Sequence, residues 1–349
     1  MDGSKVREKI QMERRKEVRL EHIAEEVGVS IVTVSNALNG RKGVSEELRG
    51  RIRDTAAAMG YQMPKSEQKK RPGMHRIGVV VAERYVRQFP SFYMDIYMKV
   101  AQELNRKGGV SILEVVDESK ERMLHGFTGF LDDEIDGIIL IGEMDREYIQ
   151  TIRKEYQVPI VCIDYYDVLP DMDYIVCDSF GGMEQLTDLL LDAGCRRLVF
   201  VGNPWATGSI MDRYMGYCKA LEKRGMEVNR EDLILDRFSD GYDYKLRVEL
   251  PDTLPDGFVC NCDKTANILI GELLQQGIRI PQEVSVVGFD YYYSGVQEGL
   301  ELTTYEYDQK AIAQISTGTI LKRIAGAAKA SGIRFVEGRV ILGNTVRQR

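Results

Sequence analysis

Long apolar runs are missing from this 349-residue chain. None approaches the ~18–20 residues a helix needs to span a bilayer, so no membrane-embedded part is expected. An apolar leader is missing too. The first twenty residues, MDGSKVREKIQMERRKEVRL, are charged throughout, and the expectation is a cytoplasmic protein. Histidine is scarce, at three, and the six cysteines (Cys162, Cys177, Cys195, Cys218, Cys260, Cys262) form no Cys-x-x-Cys pair. That leaves no metal-ligand spacing and no redox pair, so the thiols are expected as small core hydrophobes. There is no Gly-x-Gly-x-x-Gly, no phosphate-binding loop and no Gly-x-Ser-x-Gly. The commoner nucleotide-dependent and hydrolytic enzymes are therefore not indicated, and no catalytic residue, metal or cofactor is expected.

What is present is unevenly charged. Residues 1–76 carry 17 Lys and Arg against 11 Asp and Glu, whereas the remainder carries 30 against 43. A basic head on an acidic body suits a small anion-binding domain, although a solvated surface could produce the same asymmetry.

Within the head, "LEHIAEEV" places Leu20, Ile23, Ala24 and Val27 on one helical face. Gly28 can end that helix in a left-handed conformation, and Ser30 can cap a second by accepting from the amide of Val32 or Thr33. The run Ile31-Val32-Thr33-Val34 has the β-branched composition of a strand. Its apolar spacing, Ile31, Val34, Ala37, Leu38, is nevertheless helical. A third helix opens at Ser45 and continues through Leu48, Ile52, Ala56 and Met59. Helix, four-residue turn, helix, loop and helix make a helix-turn-helix unit, whose second helix enters the DNA major groove. Ser30, Thr33, Ser35, Asn36 and Asn39 lie on or beside that helix and offer hydroxyls and amides to phosphates or base edges.

The segment Val18–Pro64, with "IAEEVGVS", "TVSNALNG", "VSEELRGRI" and "MGYQMP", closely resembles the headpiece of the LacI/GalR family of bacterial repressors. The resemblance implies base reading by Ile31, Val32 and Asn36. Asn suits adenine where Arg would suit guanine, and Ile31 and Val32 suit thymine methyls, so an A·T-richer half-site is expected. Residues 1–17 are an N-terminal extension, the headpiece spans 18–63, and 64–75 is a polar linker. The family's hinge helix, with a Leu in the minor groove, lacks its Leu here; Lys65, Lys69, Lys70 and Arg71 remain for phosphates.

From residue 76 onward, strand-like runs (76–81, 110–116, 136–141, 159–164, 197–202, 257–261, 284–290) alternate with amphipathic stretches (93–107, 181–193, 212–225, 264–277, 308–326). Continuous Val/Ile runs suit strands buried on both faces of parallel sheets, so the fold class is α/β, doubly wound. The anchors "DSFGGMEQLTDLLLDAGCRRLVFVG", "RYMGYCKAL", "GIRIPQEVSVVGFD" and "LTT" extend the resemblance over the body. It implies a periplasmic-binding-protein type of effector-binding and dimerisation domain, 76–349. One subdomain would span about 76–175 plus 305–333, and the other 176–304 plus 334–346. It also implies a homodimer bound to operator DNA and controlled by a small effector, a sugar or related metabolite.

For the effector, Asp164, Arg213 and Asp290 match the family's polar ligand positions. The fork of Arg213 suits vicinal hydroxyls or a carboxylate, and an interdomain salt bridge is the alternative. Phe92, Phe238 and their neighbours Tyr85, Phe89 and Tyr93 can stack on a ring or belong to the core, and Trp205 can reach the cleft. One family position departs: Cys262 stands where an Asn usually precedes Asp263, leaving Asn261 as the possible replacement.

Overall fold

The computed structural model describes residues 18, 20–38, 44–59, 61, 74–87, 91–127, 135–167, 169–237, 246–292, 295–297, 299–326 and 332–348. The chain divides into two compact units, Met1–Pro72 and Gly73–Arg349.

In the first unit three helices, α1 (Leu20–Val27), α2 (Ile31–Leu38) and α3 (Glu46–Ala58), enclose a small core. Ile23, Ala24, Val34, Ala37, Ile52 and Ala56 are buried together. Each large aliphatic side chain there contributes roughly 1.5–3 kcal/mol. Gly28 takes φ +76°, and its amide and that of Val29 both donate to the carbonyl of Ala24, closing α1. Ser30 caps α2 by accepting from the amide of Thr33 at 3.1 Å. Ser45 caps α3 by accepting from Leu48. Arg49 was not legible as structural. It is buried, and its guanidinium donates to the carbonyls of Ala37 at 3.1 Å and of Asn36 and Val44 at 3.5 Å. A fixed cation thereby meets the unpaired carbonyls at the end of α2. Ile31 is half-exposed and does not share the buried face of Val34 and Ala37, contrary to the apolar spacing read from sequence.

The second unit is two lobes of parallel sheet. In the first lobe, β1 (Arg76–Ala82), α4 (Phe92–Arg106), β2 (Val110–Val116), α5 (Glu118–Arg122), β3 (Gly137–Ile141), α6 (Arg146–Tyr156), β4 (Ile160–Ile163) and β5 (Met172–Cys177) follow in order. In the second, α7 (Ser179–Asp192), β6 (Leu198–Val201), α8 (Gly208–Lys223), β7 (Leu233–Ile234), β8 (Gly257–Cys260), α9 (Asp263–Gln275) and β9 (Ser285–Val287) do the same. A hairpin, β10 (Gly295–Gln297) and β11 (Leu300–Glu301), precedes β12 (Thr304–Glu306). The chain then returns to the first lobe through α10 (Gln309–Ile324) and β13 (Gly332–Val336), and ends on β14 (Arg339–Ile341), antiparallel to β12.

The first sheet runs β13-β5-β4-β3-β1-β2 and the second β7-β6-β8-β9, with every pair parallel. The strands β1, β3, β4 and β8 are almost wholly buried, as two helix-covered faces require. Strand β5 escaped the sequence reading because Asp173 and Tyr174 interrupt its apolar run. Asp173 is buried there against Arg323 of α10, at 2.9 Å. Helices α7 and α8 approach so closely that a Cβ on Gly216 would lie 2.2 Å from the carbonyl oxygen of Phe180, so glycine is required at that crossing.

Candidate functional site

Two surfaces carry chemistry, one on each unit. On the first, α2 presents Ile31 and Val32, which are 46% and 68% exposed, although both are apolar. Leaving β-branched side chains in water at the start of a capped helix gives the fold nothing. It does provide methyl groups for contact with another apolar surface. Thr33, Ser35 and Asn36 are partly exposed beside them, and Ser30 is exposed with its hydroxyl 2.8 Å from that of Thr33. Asn39 and the linker cations named above lie outside the described residues.

On the second unit, a cavity of about 160 Å³ lies between the lobes. Its walls are the carboxyl ends of the parallel strands and the first turns of α8 and α9, where open α/β sheets place ligands. Phe92, Asp164, Arg213 and Asp290, named from sequence, all line it, as do Tyr85 and Tyr93. Phe238 and Phe89 lie outside the described residues. Trp205 does not line it and is 71% exposed on the loop before α8. Sequence reasoning missed Arg84, Ser91, Thr207, Ser209, Arg237 and Tyr292, which share the lining. Only their position two to nine residues after a strand could have signalled them.

Arg213 is the centre of the cavity. It is buried on α8, its Nη1 donates to the carbonyl of Asn261 at 2.7 Å, and its Nε donates to Ser179 Oγ at 3.4 Å. Its Nη2 lies 2.9 Å from Asp290 Oδ1, and its guanidinium stacks 4.0 Å above the Phe289 ring. The contact with Asp290 is an ion pair without hydrogen-bond alignment, because that oxygen has no hydrogen-bond partner. Across the cleft, Asp164 accepts from the Tyr93 hydroxyl at 2.9 Å. Both acids take left-handed backbone, φ +60° at Asp164 and +102° at Asp290. Such conformations persist where the surroundings impose them, and they cluster at functional sites.

Two buried carboxyls share one cation, and their protonation shows it. Burial pushes the Asp164 carboxyl up to about 6, against the opposing pull of Arg213. Burial also raises Asp290, with Arg213 pulling down and Asp263 and Asp164 adding to the rise. Burial lowers Arg213's own proton affinity, but the charges of Asp290 and Asp164 more than restore it. Asp263 is already committed, accepting from Thr304 at 2.6 Å and from the amide of Tyr292 at 2.9 Å.

Asn261 does not replace the missing amide. Its Nδ2 donates to Asp236 Oδ2 at 2.7 Å and to the carbonyl of Val201 at 3.1 Å. Asp236 is fully buried and also takes Arg237, Thr265 and the amide of Asn203. Cys262 caps nothing at the start of α9; its thiol lies 3.4 Å from the hydroxyl of Thr265. Burial raises the Cys262 thiol, so it faces the cavity as a neutral, weakly polar group. Among the described residues, no cluster of metal ligands and no helix long and apolar enough to cross a membrane is present.

A capped helix-turn-helix with an exposed reading face, and a separate two-lobed body with a polar cleft, define a ligand-responsive DNA-binding regulator. Residues 19–63 match the bacterial regulatory proteins of the lacI family, and residues 187–346 match the periplasmic binding protein-like domain. The chain thus joins a lacI-family helix-turn-helix domain to a periplasmic binding protein-like domain, the make-up of the LacI-family regulators it resembles. It is 23% identical over 308 residues to the HTH-type transcriptional repressor PurR of Glaesserella parasuis serovar 5, covering 87% of this chain and 89% of that one. It is 27% identical to the HTH-type transcriptional regulator CelR of Thermobifida fusca, covering 80% and 84%. Among solved structures, the transcriptional regulator CelR–cellobiose complex superposes with a TM-score of 0.66 at 22% identity, over 94% of this chain and 99% of that one. The lac repressor dimer bound to operator and the anti-inducer ONPF gives 0.65 at 19%, over 95% and 100%.

Proposed function

We propose that this protein is a cytoplasmic, homodimeric repressor that releases or grips a pseudo-palindromic operator in response to a sugar. Ile31, Val32 and Asn36 read base edges, and Ser30, Thr33, Ser35 and Asn39 hold the backbone. One headpiece makes few contacts, so two copies on two half-sites are needed for useful affinity. The sugar lies between the lobes, with its hydroxyls accepting from Arg213 and donating to Asp164 and Asp290. Its ring packs on Phe92. Occupancy favours one disposition of the lobes, and operator affinity changes by the difference in binding between the two states.

The observation that carries this reading is Arg213 held beside Asp290 and facing Asp164 in a cavity between two lobes. A sugar as the ligand class is supported by the structural neighbours, among them complexes with cellobiose, ribose and D-xylulofuranose. The test is a thermal-shift screen of the full chain with these and related sugars, then fluorescence anisotropy on operators selected from random duplexes. A stabilising sugar that changes operator affinity, on A·T-richer half-sites, is expected. No selectable operator, or no sugar that shifts melting, overturns the corresponding half of the proposal.

A further inference from the structure

Four cations line the cavity, Arg84, Arg213, Arg237 and Lys264, and a neutral sugar held by Arg213, Asp164 and Asp290 engages only one of them. Two of the others have their acids outside the cavity. Arg84 pairs with Glu121, and Arg237 with Asp236; both acids are buried, and neither is in the lining. Arg237 is itself buried, and Asp236 holds it by one edge of the fork, Nε to Oδ1 at 2.9 Å and Nη2 to Oδ2 at 2.7 Å. Its orientation is therefore fixed before any ligand arrives. Lys264 follows in the first turn of α9. Desolvation lowers the proton affinity of its ammonium; the Cys262 thiol opposes this, and the charge of Arg237 lowers it further. Two like charges on one wall are thus close enough to act on each other.

The end of α9 adds to the same field. This helix has 13 residues, and the side chain of Cys262 does not cap it. The amino end of a helix carries partial positive charge. Asp263 begins that turn, but its carboxylate accepts from Thr304 and from the amide of Tyr292. Burial makes the two other acids of the lining, Asp164 and Asp290, hold protons more readily than ordinary carboxyls, which weakens their repulsion of an anion. Hydroxyls cannot offset the mutual repulsion of Arg237 and Lys264; a carboxylate or phosphate can. We propose that the effector is an acidic sugar, whose carboxylate or phosphate lies against Arg237 and Lys264 at the amino end of α9 while its hydroxyls take Arg213, Asp164 and Asp290. This rests on the sugar-binding reading of the cleft and narrows it to one chemical class.

The test uses the full chain and calorimetry with matched sets: cellobiose, ribose and glucose, their aldonic or uronic acids, and their phosphate esters. The acid or the phosphate is expected to bind at least about tenfold more tightly than its neutral parent, equivalent to about 1.4 kcal/mol. Which of the two does so identifies the anionic group. Lys264→Gln, at an exposed position where folding is retained, should lose about that tenfold for the charged form and much less for the neutral one. Lys264→Arg should restore it. Arg237→Lys keeps a charge beside Asp236 and loses the fork, and should weaken the charged form selectively. A neutral sugar that binds as tightly as both its acid and its phosphate overturns this proposal and leaves the sugar reading standing. Equal losses for charged and neutral forms in Lys264→Gln, or no loss, overturn it too. If no member of any set binds, the sugar reading fails and this proposal with it.

Discussion

Replacing Arg213 with methionine tests the electrostatic reading of the cleft. Methionine keeps much of the side-chain volume over Phe289 and removes the charge. The Arg213 guanidinium is set against both Asp164 and Asp290, and its loss leaves two buried carboxyls without that charge. Breaking a buried pair by removing one partner costs about 3–5 kcal/mol. The cost depends on pH. Both acids already titrate above the ordinary carboxylate value of about 3.9 in the folded protein, Asp164 at about 6. A raised folded value means that stability is fully present below the unfolded value and is lost as pH rises through the folded one. Removing Arg213 raises both acids further, so the variant keeps losing stability at pH values where the wild type has levelled off. At pH 5 both forms hold protons on these acids. Only the hydrogen bonds to Asn261 and Ser179 are then lost, about 1–2 kcal/mol. At about 2–4 °C per kcal/mol for a body of this size, the melting deficit is roughly 6–20 °C at pH 8 and roughly 2–8 °C at pH 5. Differential scanning fluorimetry across pH 5–8 reads this directly. The double variant Arg213→Met/Asp290→Asn should recover part of the pH 8 deficit, since the charge left behind is also removed. A deficit equal at pH 5 and pH 8, unrelieved in the double variant, refutes the reasoning.

Three further outcomes are expected. Sugar affinity should rise between pH 5 and pH 8 as Asp164 ionises and becomes a full acceptor; a flat or falling calorimetric profile would remove that carboxylate from the contact. Arg49→Met should destabilise the headpiece by about 1.5–3 kcal/mol through the carbonyls it leaves at the end of α2. Unchanged amide exchange in α2 would show that capping to be unimportant. Val32→Ala should change stability by less than about 0.5 kcal/mol, being exposed, yet weaken operator binding and relax the preference at one base pair. Anisotropy indistinguishable from wild type would exclude Val32 from base reading.

Local sequence determined a good deal of this protein. Ser30, Ser45 and Gly28 are caps and a turn whose geometry is fixed within four residues, so the head was legible in outline. The runs at 76–81, 136–141 and 257–261 are strands because only two-sided burial tolerates such continuous Val and Ile. Asp164, Arg213 and Asp290 were legible as one group only through resemblance, since 126 residues separate the first from the last. Tertiary structure decided the rest. Ile31 turned outward because the interior of three short helices is filled by Val34, Ala37 and Ile52. Arg49 became a cap because α3 carries it across to the end of α2. Asn261, a plausible ligand by its place in the sequence, was taken by Asp236, which is 25 residues away along the chain and 2.7 Å away in space. Hydrogen bonds and charges act over a few ångströms of space, and only the folded chain sets which side chains come that close.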